Sequence, residues 1–266
     1  MPLRPLAALK RAASPIVMKA LRSFLMRYRY VIERKPAAFL ESPTAELKPS
    51  LDLVLAHYLA AHSTGSFVQI GAFDGMMQDP IVHFVRQHHW KGILVEPQPD
   101  VFRRLQSHYE HEKQLVLVQA AIAHTDGVKP FYRIRRDVPG LPDWTQMIAS
   151  FDRSLVLRHK GLIPNVEDLV EEIPVDCLSF STLLERNGFS TCDLLQIDAE
   201  GFDYEIIKMV DFGRIKPAII NYEHVHLTPD DHEESLVFLA GHGYSLAVTD
   251  ARDTIAYLMN DSRIER

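Results

Sequence analysis

The sequence predicts an open α/β fold, a mostly parallel sheet with helices on both faces, and three observations carry that expectation. Short apolar runs of strand length alternate with segments of helical period, the pattern of successive βαβ units. The stretch Phe67 to Gly75, FVQIGAFDG, passes from strand character into a turn holding Gly71, Ala72, Asp74 and Gly75. A second apolar strand, GILVE, then ends in Glu96. In sheets of this class the first turn offers backbone N–H groups to a ligand above the strand ends, and the second strand ends in a carboxylate for two ribose hydroxyls. A nucleoside-shaped ligand is therefore expected. Either feature alone is an ordinary strand end.

Taken in order, Ser14-Pro15 offers an N-cap followed by proline at the first helical position, and Ile16, Val17, Ala20, Leu21, Phe24, Leu25 and Tyr28 recur on one helical face. Lys19, Arg22 and Arg29 lie largely off that face, so the helix can rest on an anionic membrane surface, dock on the core, cap a dimer or act as a targeting presequence. Pro43 and Pro49 punctuate a linker. Residues 1–49 are thus expected to be a basic amphipathic appendage and linker, and residues 50–266 the domain proper. Leu51, Val54, Leu55, Tyr58 and Leu59 give a helix leading into the first strand.

After the glycine turn, Asp79-Pro80 starts a helix with Ile81, Phe84, Val85 and His88 on one face, and after Glu96 Asp100 opens another with Val101, Leu105 and Tyr109 inward. LVLVQAAI reads as one buried strand and KPFYRI as a strand added beyond the nucleotide half. Arg135 to Ala149, with Pro139, Gly140 and Pro142, has no period and reads as a long loop where a substrate lid could sit. Trp144, Ser150 and His159 could face it; packing explains each equally well. Glu172 to Leu178 is a further strand, and Ser179 caps a short helix.

A second landmark follows, CDLLQIDAEGFDYEIIKMV: an apolar strand that delivers Asp198, Glu200 and Asp203 around Gly201. PAIINYEHVHL is a strand ending in Glu223, His224 and His226, with His226 read as a strand residue on the other face. Neighbouring strand ends meet over one crevice in such sheets, so the two clusters should be close. A helix over Asp230 to Gly241 and a hairpin-like pair, YSLAVT with DTIAYL, close the chain.

Composition narrows the partners. Of 29 bases and 35 acids, nine bases and one acid fall before residue 36; the remaining 20 bases against 34 acids give a formal charge of −14. So acidic a body will not hold a polyphosphate backbone by charge, which argues against nucleic acid. Cys177 and Cys192 form no C-x-x-C pair and read as buried, reduced thiols of a cytoplasmic protein. No run of 18 apolar residues is present to span a bilayer.

The ligand can be narrowed further. Hydride-transferring enzymes share the ribose carboxylate, but their turn requires G-x-G-x-x-G, and Phe73 stands where the second glycine should be. S-adenosylmethionine is accordingly favoured over a nicotinamide. Base methylation is set aside, because Asp198-Ala199-Glu200-Gly201 occupies the place of the N/D/S-P-P-Y/F loop that it uses.

The set FVQIGAFDG, ILVEPQP, LLQIDAEGFDYEIIK and IINYEH resembles the FkbM family of S-adenosylmethionine-dependent methyltransferases over roughly Ser66 to Leu258. The resemblance implies the class I methyltransferase (Rossmann-like) fold, seven strands with the last antiparallel. It also implies O-methylation of a hydroxyl, often on a sugar, a glycan or a related metabolite. Gly71, Ala72, Asp74 and Gly75 match the cofactor turn, Glu96 the ribose carboxylate, and Asp198, Glu200 and Gly201 the family block. Gln69 departs from the Asp or Asn of many members, which puts a contact from that position in doubt.

Methyl transfer from a sulfonium is a displacement whose barrier falls mainly by alignment, with a base assisting. His224 or Glu223 is expected to take the acceptor proton while Asp198 orients the acceptor or the methionyl amine. A divalent metal such as magnesium, held by Asp198 and Glu223 with help from His224, is the less favoured arrangement, and no residue is assigned as a metal ligand. The competing function is a catalytically inactive nucleotide-binding or membrane-associated subunit of a glycan or lipid assembly system.

Overall fold

The computed structural model describes residues 50–249 and 252–258; the basic helix and linker expected in residues 1–49 lie outside them. Helix α1 (Leu51–Ala61) opens on Ser50, whose hydroxyl accepts from the Leu53 N–H at 3.2 Å. It leads into β1 (Ser66–Ile70), α2 (Val82–His88), β2 (Lys91–Val95), α3 (Pro99–His108) and β3 (Leu115–Val118). The second half contributes α6 (Phe180–Arg186), β8 (Leu194–Ile197), α7 (Asp203–Met209), β9 (Ile219–Glu223), α8 (Pro229–Gly241), β10 (Ser245–Val248) and β11 (Asp253–Tyr257).

These strands form one seven-stranded sheet in the order β10-β11-β9-β8-β1-β2-β3, parallel except for β11, which pairs antiparallel with both neighbours. The closing pair is therefore no free hairpin. The final strand inserts between β9 and β10, as the class I methyltransferase fold requires.

Both faces of this sheet are covered, and the period of two decides which residue meets which layer. Phe67, Leu94, Leu194 and Ile219 pack with Leu55 and Tyr58 of α1, Val85 of α2 and Leu105 of α3. Val68, Ile93, Val95, Leu195 and Ile197 pack the other way, with Leu183 of α6, Ile206 and Ile207 of α7 and Leu239 of α8. Gln69, Gln196 and Asn221 lie in register across β1, β8 and β9, buried on the Phe67 face. The Asn221 amide donates to Gln196 Oε1 at 2.9 Å.

A second sheet was not foreseen as a unit. LVLVQAAI does not stay one strand: β3 ends at Val118, and Ala121–Ile122 (β4) turns away to pair in parallel with β7 (Val170–Leu178). β7 pairs antiparallel with β5 (Gly127–Ile134), which pairs with β6 (Ala149–Ser150), giving the order β4-β7-β5-β6. The expected loop from Arg135 leads through a short 3-10 turn, Asp143–Gln146, into β6. Helix α4 (Arg153–Leu157) starts at Asp152, whose carboxylate caps the Ser154 N–H at 2.8 Å. A short turn, α5 (Val166–Leu169), precedes β7. Cys177 and Cys192 are both buried and unbridged. No helix among the described residues is long and apolar enough to cross a membrane.

Candidate active site

The ends of β1, β2 and β8 open into a crevice between the main sheet and the second sheet. Gly71, Glu96 and Asp198, from three different strand ends, all line it. Ile70, Val95, Pro97, Ala120 and Ile122 make apolar walls, and the second sheet covers one side through Phe131, Ala149 and the neighbouring Phe151. Three carboxylates, Glu96, Asp198 and Glu200, face this space, and among the described residues no Lys, Arg or His does.

Gly71 is required where it stands. Its φ is +78°, and a Cβ there would overlap the Asp198 carbonyl oxygen, because β1 and β8 leave the sheet in contact. The turn does not, however, hold out its N–H groups as expected. Those of Gly71 and Ala72 both donate to the Val95 carbonyl at 3.0 Å, and that of Phe73 donates to Glu96 Oε2 at 3.1 Å.

Two further expectations for the turn are corrected. Asp74 lies outside the crevice, its Oδ1 accepting the N–H groups of Met76 at 3.0 Å and Met77 at 2.9 Å, so the carboxylate closes its own turn. Gly75 is there for packing: a Cβ would strike Tyr109 and Leu105 of α3, and the Tyr109 hydroxyl donates to its carbonyl at 3.1 Å. Ala72 is buried beneath the turn and does not line the crevice. Gln69, on the Phe67 face, does not reach it either.

Glu96 is 3 % exposed, with Oε1 accepting from the Gln98 N–H at 2.8 Å. Burial pushes its carboxyl up to about 7 despite those two backbone donors. It is a single, firmly aimed acceptor.

At the other end of the crevice carboxylates crowd together. Burial, then the charges of Glu223, Glu200 and Asp203, raise Asp198 well above the ordinary range. Burial, then Glu223 and Asp203, raise Glu200 likewise. Asp203, fully buried, is pushed up to about 8 by burial and then by Glu223. Its role is to hold the local chain: it accepts from the Ala199 N–H at 3.4 Å, the Gly201 N–H at 3.2 Å and the Glu223 N–H at 3.2 Å. That grip, with Glu200 at φ +49° and Gly201 at φ +94°, turns the β8 end towards the β9 end.

Glu223 joins this cluster and His224 does not. β9 stops at Glu223; the His224 N–H donates to the Arg252 carbonyl at 2.7 Å, and a turn closes from Leu227 N–H to the His224 carbonyl at 3.1 Å. The His224 ring is carried away to stack on His232 at 4.2 Å, its Nδ1 3.0 Å from Thr254 Oγ1. Period two would put His224 and His226 on one face and Glu223 on the other, so the far-face expectation for His226 did not follow from alternation; the chain leaves the strand at Glu223, and His226 is the imidazole brought in. Its Nε2 lies 3.1 Å from Glu200 Oε2 and 3.5 Å from Glu223 Oε2. Burial lowers the His226 pKa, with Glu223 opposing. The expected metal set of Asp198, Glu223 and His224 does not assemble for the same reason.

Ser150 reaches the site region, donating to the Glu200 carbonyl at 3.1 Å. Trp144 packs at the edge of a small separate core, with His159 6.2 Å away across the rings.

No curated protein matches the chain. Among solved structures it is similar to a methyltransferase FkbM from Methylobacillus flagellatus KT, at 12% identity and a TM-score of 0.47, covering 73% of this chain and 44% of that one. This chain thus spans less than half of that relative's length. It is also similar to a precorrin-6y C5,15-methyltransferase from Geobacter metallireducens GS-15, at 14% identity and a TM-score of 0.39, covering 82% and 93% of the two chains. A third similarity is to the N-terminal domain of human METTL16, at 10% identity and a TM-score of 0.36, with 81% and 73% covered. Residues 69–246 match the Methyltransferase FkbM domain, a span that takes in both the Gly71 turn and the Asp198 block. The chain belongs to the FkbM methyltransferase family.

Proposed function

We propose that the crevice binds S-adenosylmethionine and that the chain transfers its methyl group to a hydroxyl of a sugar, glycan or related small molecule. The observation that carries the reading is the lining: three acidic side chains, which burial and crowding hold protonated until a cation displaces the protons, and, among the described residues, no basic one. A nicotinamide dinucleotide would bring a diphosphate to a lining that offers it no positive partner. A ligand with a sulfonium and an ammonium would be drawn in.

The residues fit that group. Glu96, held by two backbone N–H donors, keeps acceptor capacity for ribose hydroxyls, and the apolar walls suit an adenine. Asp198, which lines the crevice, is assigned the methionyl ammonium. When bound, S-adenosylmethionine supplies an electrophilic methyl, and the protein's task is then to align an acceptor oxygen with it, worth roughly 7 to 11 kcal/mol when well done. Glu200, Glu223 and His226 form the acceptor end, where in the absence of an ion one of them can take the hydroxyl proton. The role expected of His224 passes to His226.

Calorimetric titration with S-adenosylmethionine and with NAD tests the cofactor; binding of NAD alone would end the reading. A mass screen for a 14-dalton gain on candidate acceptors, with and without the protein, tests the transfer and its target class. A gain on nitrogen or carbon rather than oxygen would overturn the hydroxyl assignment.

A further inference from the structure

We propose that Glu200, Glu223 and His226 form a divalent-cation site at the acceptor end of the crevice, suited to a manganese-like ion. One Oε of each glutamate and the His226 Nε2 lie within 4.8 Å of one another. The two separations involving His226, 3.1 and 3.5 Å, match the edges of a coordination polyhedron, since ligand bonds of about 2.1 Å set at right angles put adjacent donors about 3.0 Å apart.

A cluster of acids often means nothing, and a second observation separates this one. Glu223 is 2 % exposed, and its Oε2 has no hydrogen-bond partner among the described residues and is shut off from bulk water. Leaving such an atom unsatisfied is costly. Its orientation is imposed: Arg252 holds the other oxygen, Oε1, at 2.6 Å, leaving Oε2 aimed at His226 and Glu200. A gap too narrow for water can still seat an ion with short ligand bonds. Glu200 is likewise delivered by a backbone at φ +49°, an uncommon conformation for a non-glycine residue and a recurrent one at functional sites.

The field agrees. Asp198 and Asp203 add acidic groups to the two glutamates; Arg252, and Arg158, which donates to the His226 carbonyl at 3.4 Å, stand against them. Two carboxylates with one imidazole suit manganese, which accepts oxygen ligands readily and tolerates nitrogen, better than magnesium, which prefers oxygen alone. Three protein ligands leave open positions, and because Glu200 lines the crevice those positions would serve oxygens of the acceptor. This use rests on the acceptor end assigned above; the ion site itself does not.

The test uses the full chain stripped with EDTA and titrated with Mn2+ alone, read by loss of the free-ion electron paramagnetic resonance signal. One ion per chain is expected, with binding at least tenfold weaker in both Glu200→Gln and His226→Gln. His226 lies on a partly exposed turn, and an unchanged thermal melt will show that its variant is folded. No loss of signal at millimolar Mn2+, or wild-type affinity in both folded variants, overturns the site. Enhanced water-proton relaxation by the bound ion is expected from its open positions, and its absence would overturn their use by an acceptor. Titration with S-adenosylmethionine in EDTA keeps the two readings apart: cofactor binding without Mn2+ binding refutes the ion site alone, and the reverse refutes the cofactor alone.

Discussion

The two ends of the crevice are built on opposite principles. At the β1/β2 end one carboxylate, Glu96, stands among apolar walls and is fixed by two backbone N–H donors. At the β8/β9 end Asp198, Glu200, Asp203 and Glu223 crowd together with Arg252 and the His226 imidazole. The first arrangement recognises by hydrogen-bond geometry and changes little with charge. The second crowds acids in a low-dielectric setting that holds protons on them, and it favours anything positive that can displace those protons. A ligand that is neutral at one end and cationic at the other fits both at once.

Gly71 is where the two ends touch, so Gly71→Ala should do the most damage. The left-handed backbone and the overlap with the Asp198 carbonyl should together cost roughly 2 to 5 kcal/mol, read as a lower denaturation midpoint. A variant as stable as the parent would mean that the two strand ends can part freely. Asp198→Asn should instead separate function from stability. Transfer is expected to fall roughly 10- to 100-fold, the value of a charge-assisted hydrogen bond, while the thermal midpoint holds or rises because one crowded charge is gone. Equal losses in both would make Asp198 a structural residue.

Glu96 sharpens the contrast through pH. With its carboxyl at about 7 in the folded protein and at the ordinary 4.5 when unfolded, the folded state keeps a proton that the unfolded chain releases between those values. Its contribution to the stability of the ligand-free protein therefore declines as pH rises from about 4.5 to 7 and is lowest above. Cofactor affinity should run the other way, strengthening as pH rises through 7, because the ionised carboxylate is the better acceptor. Calorimetry at pH 6 and 8 checks this, and Glu96→Gln should flatten the profile with an affinity about tenfold weaker.

The smallest effect is expected at His224. His224→Ala should leave transfer within about twofold and lose roughly 1 kcal/mol of stability through its Thr254 partner and its stack on His232. A large loss of activity with an intact fold would return the catalytic role to His224 from His226.

Much of this was legible in the sequence, for local reasons. Gly71 sits at the end of an apolar run and Glu96 at the end of the next, and parallel strands bring such ends to one edge whatever lies between. Ser50, Asp152 and Ser179 mark helix starts because a side-chain oxygen satisfying an N–H is a short-range event. Asp74 was misassigned although its signal was present: an Asp-Gly pair after a strand closes its own turn more often than it meets a ligand. The split of LVLVQAAI left no such signal. Apolarity records burial and is silent about which sheet does the burying, so β4 could not be told from a continuation of β3. His226 was missed because it was set on the face opposite His224, although period two groups residues two apart, and because the chain is no longer a strand after Glu223.

By itself the sequence determined the order of the strands and helices of the main sheet, the glycine that lets two strand ends touch, and the carboxylates that stand at those ends, because each follows from contacts within a few residues. Only the tertiary structure decided that a second sheet covers the crevice, that Asp203 bends the β8 end towards β9, and that His226 rather than His224 faces the glutamates. Those outcomes depend on residues far apart in the chain competing for the same space and the same hydrogen bonds, and no local pattern records who wins.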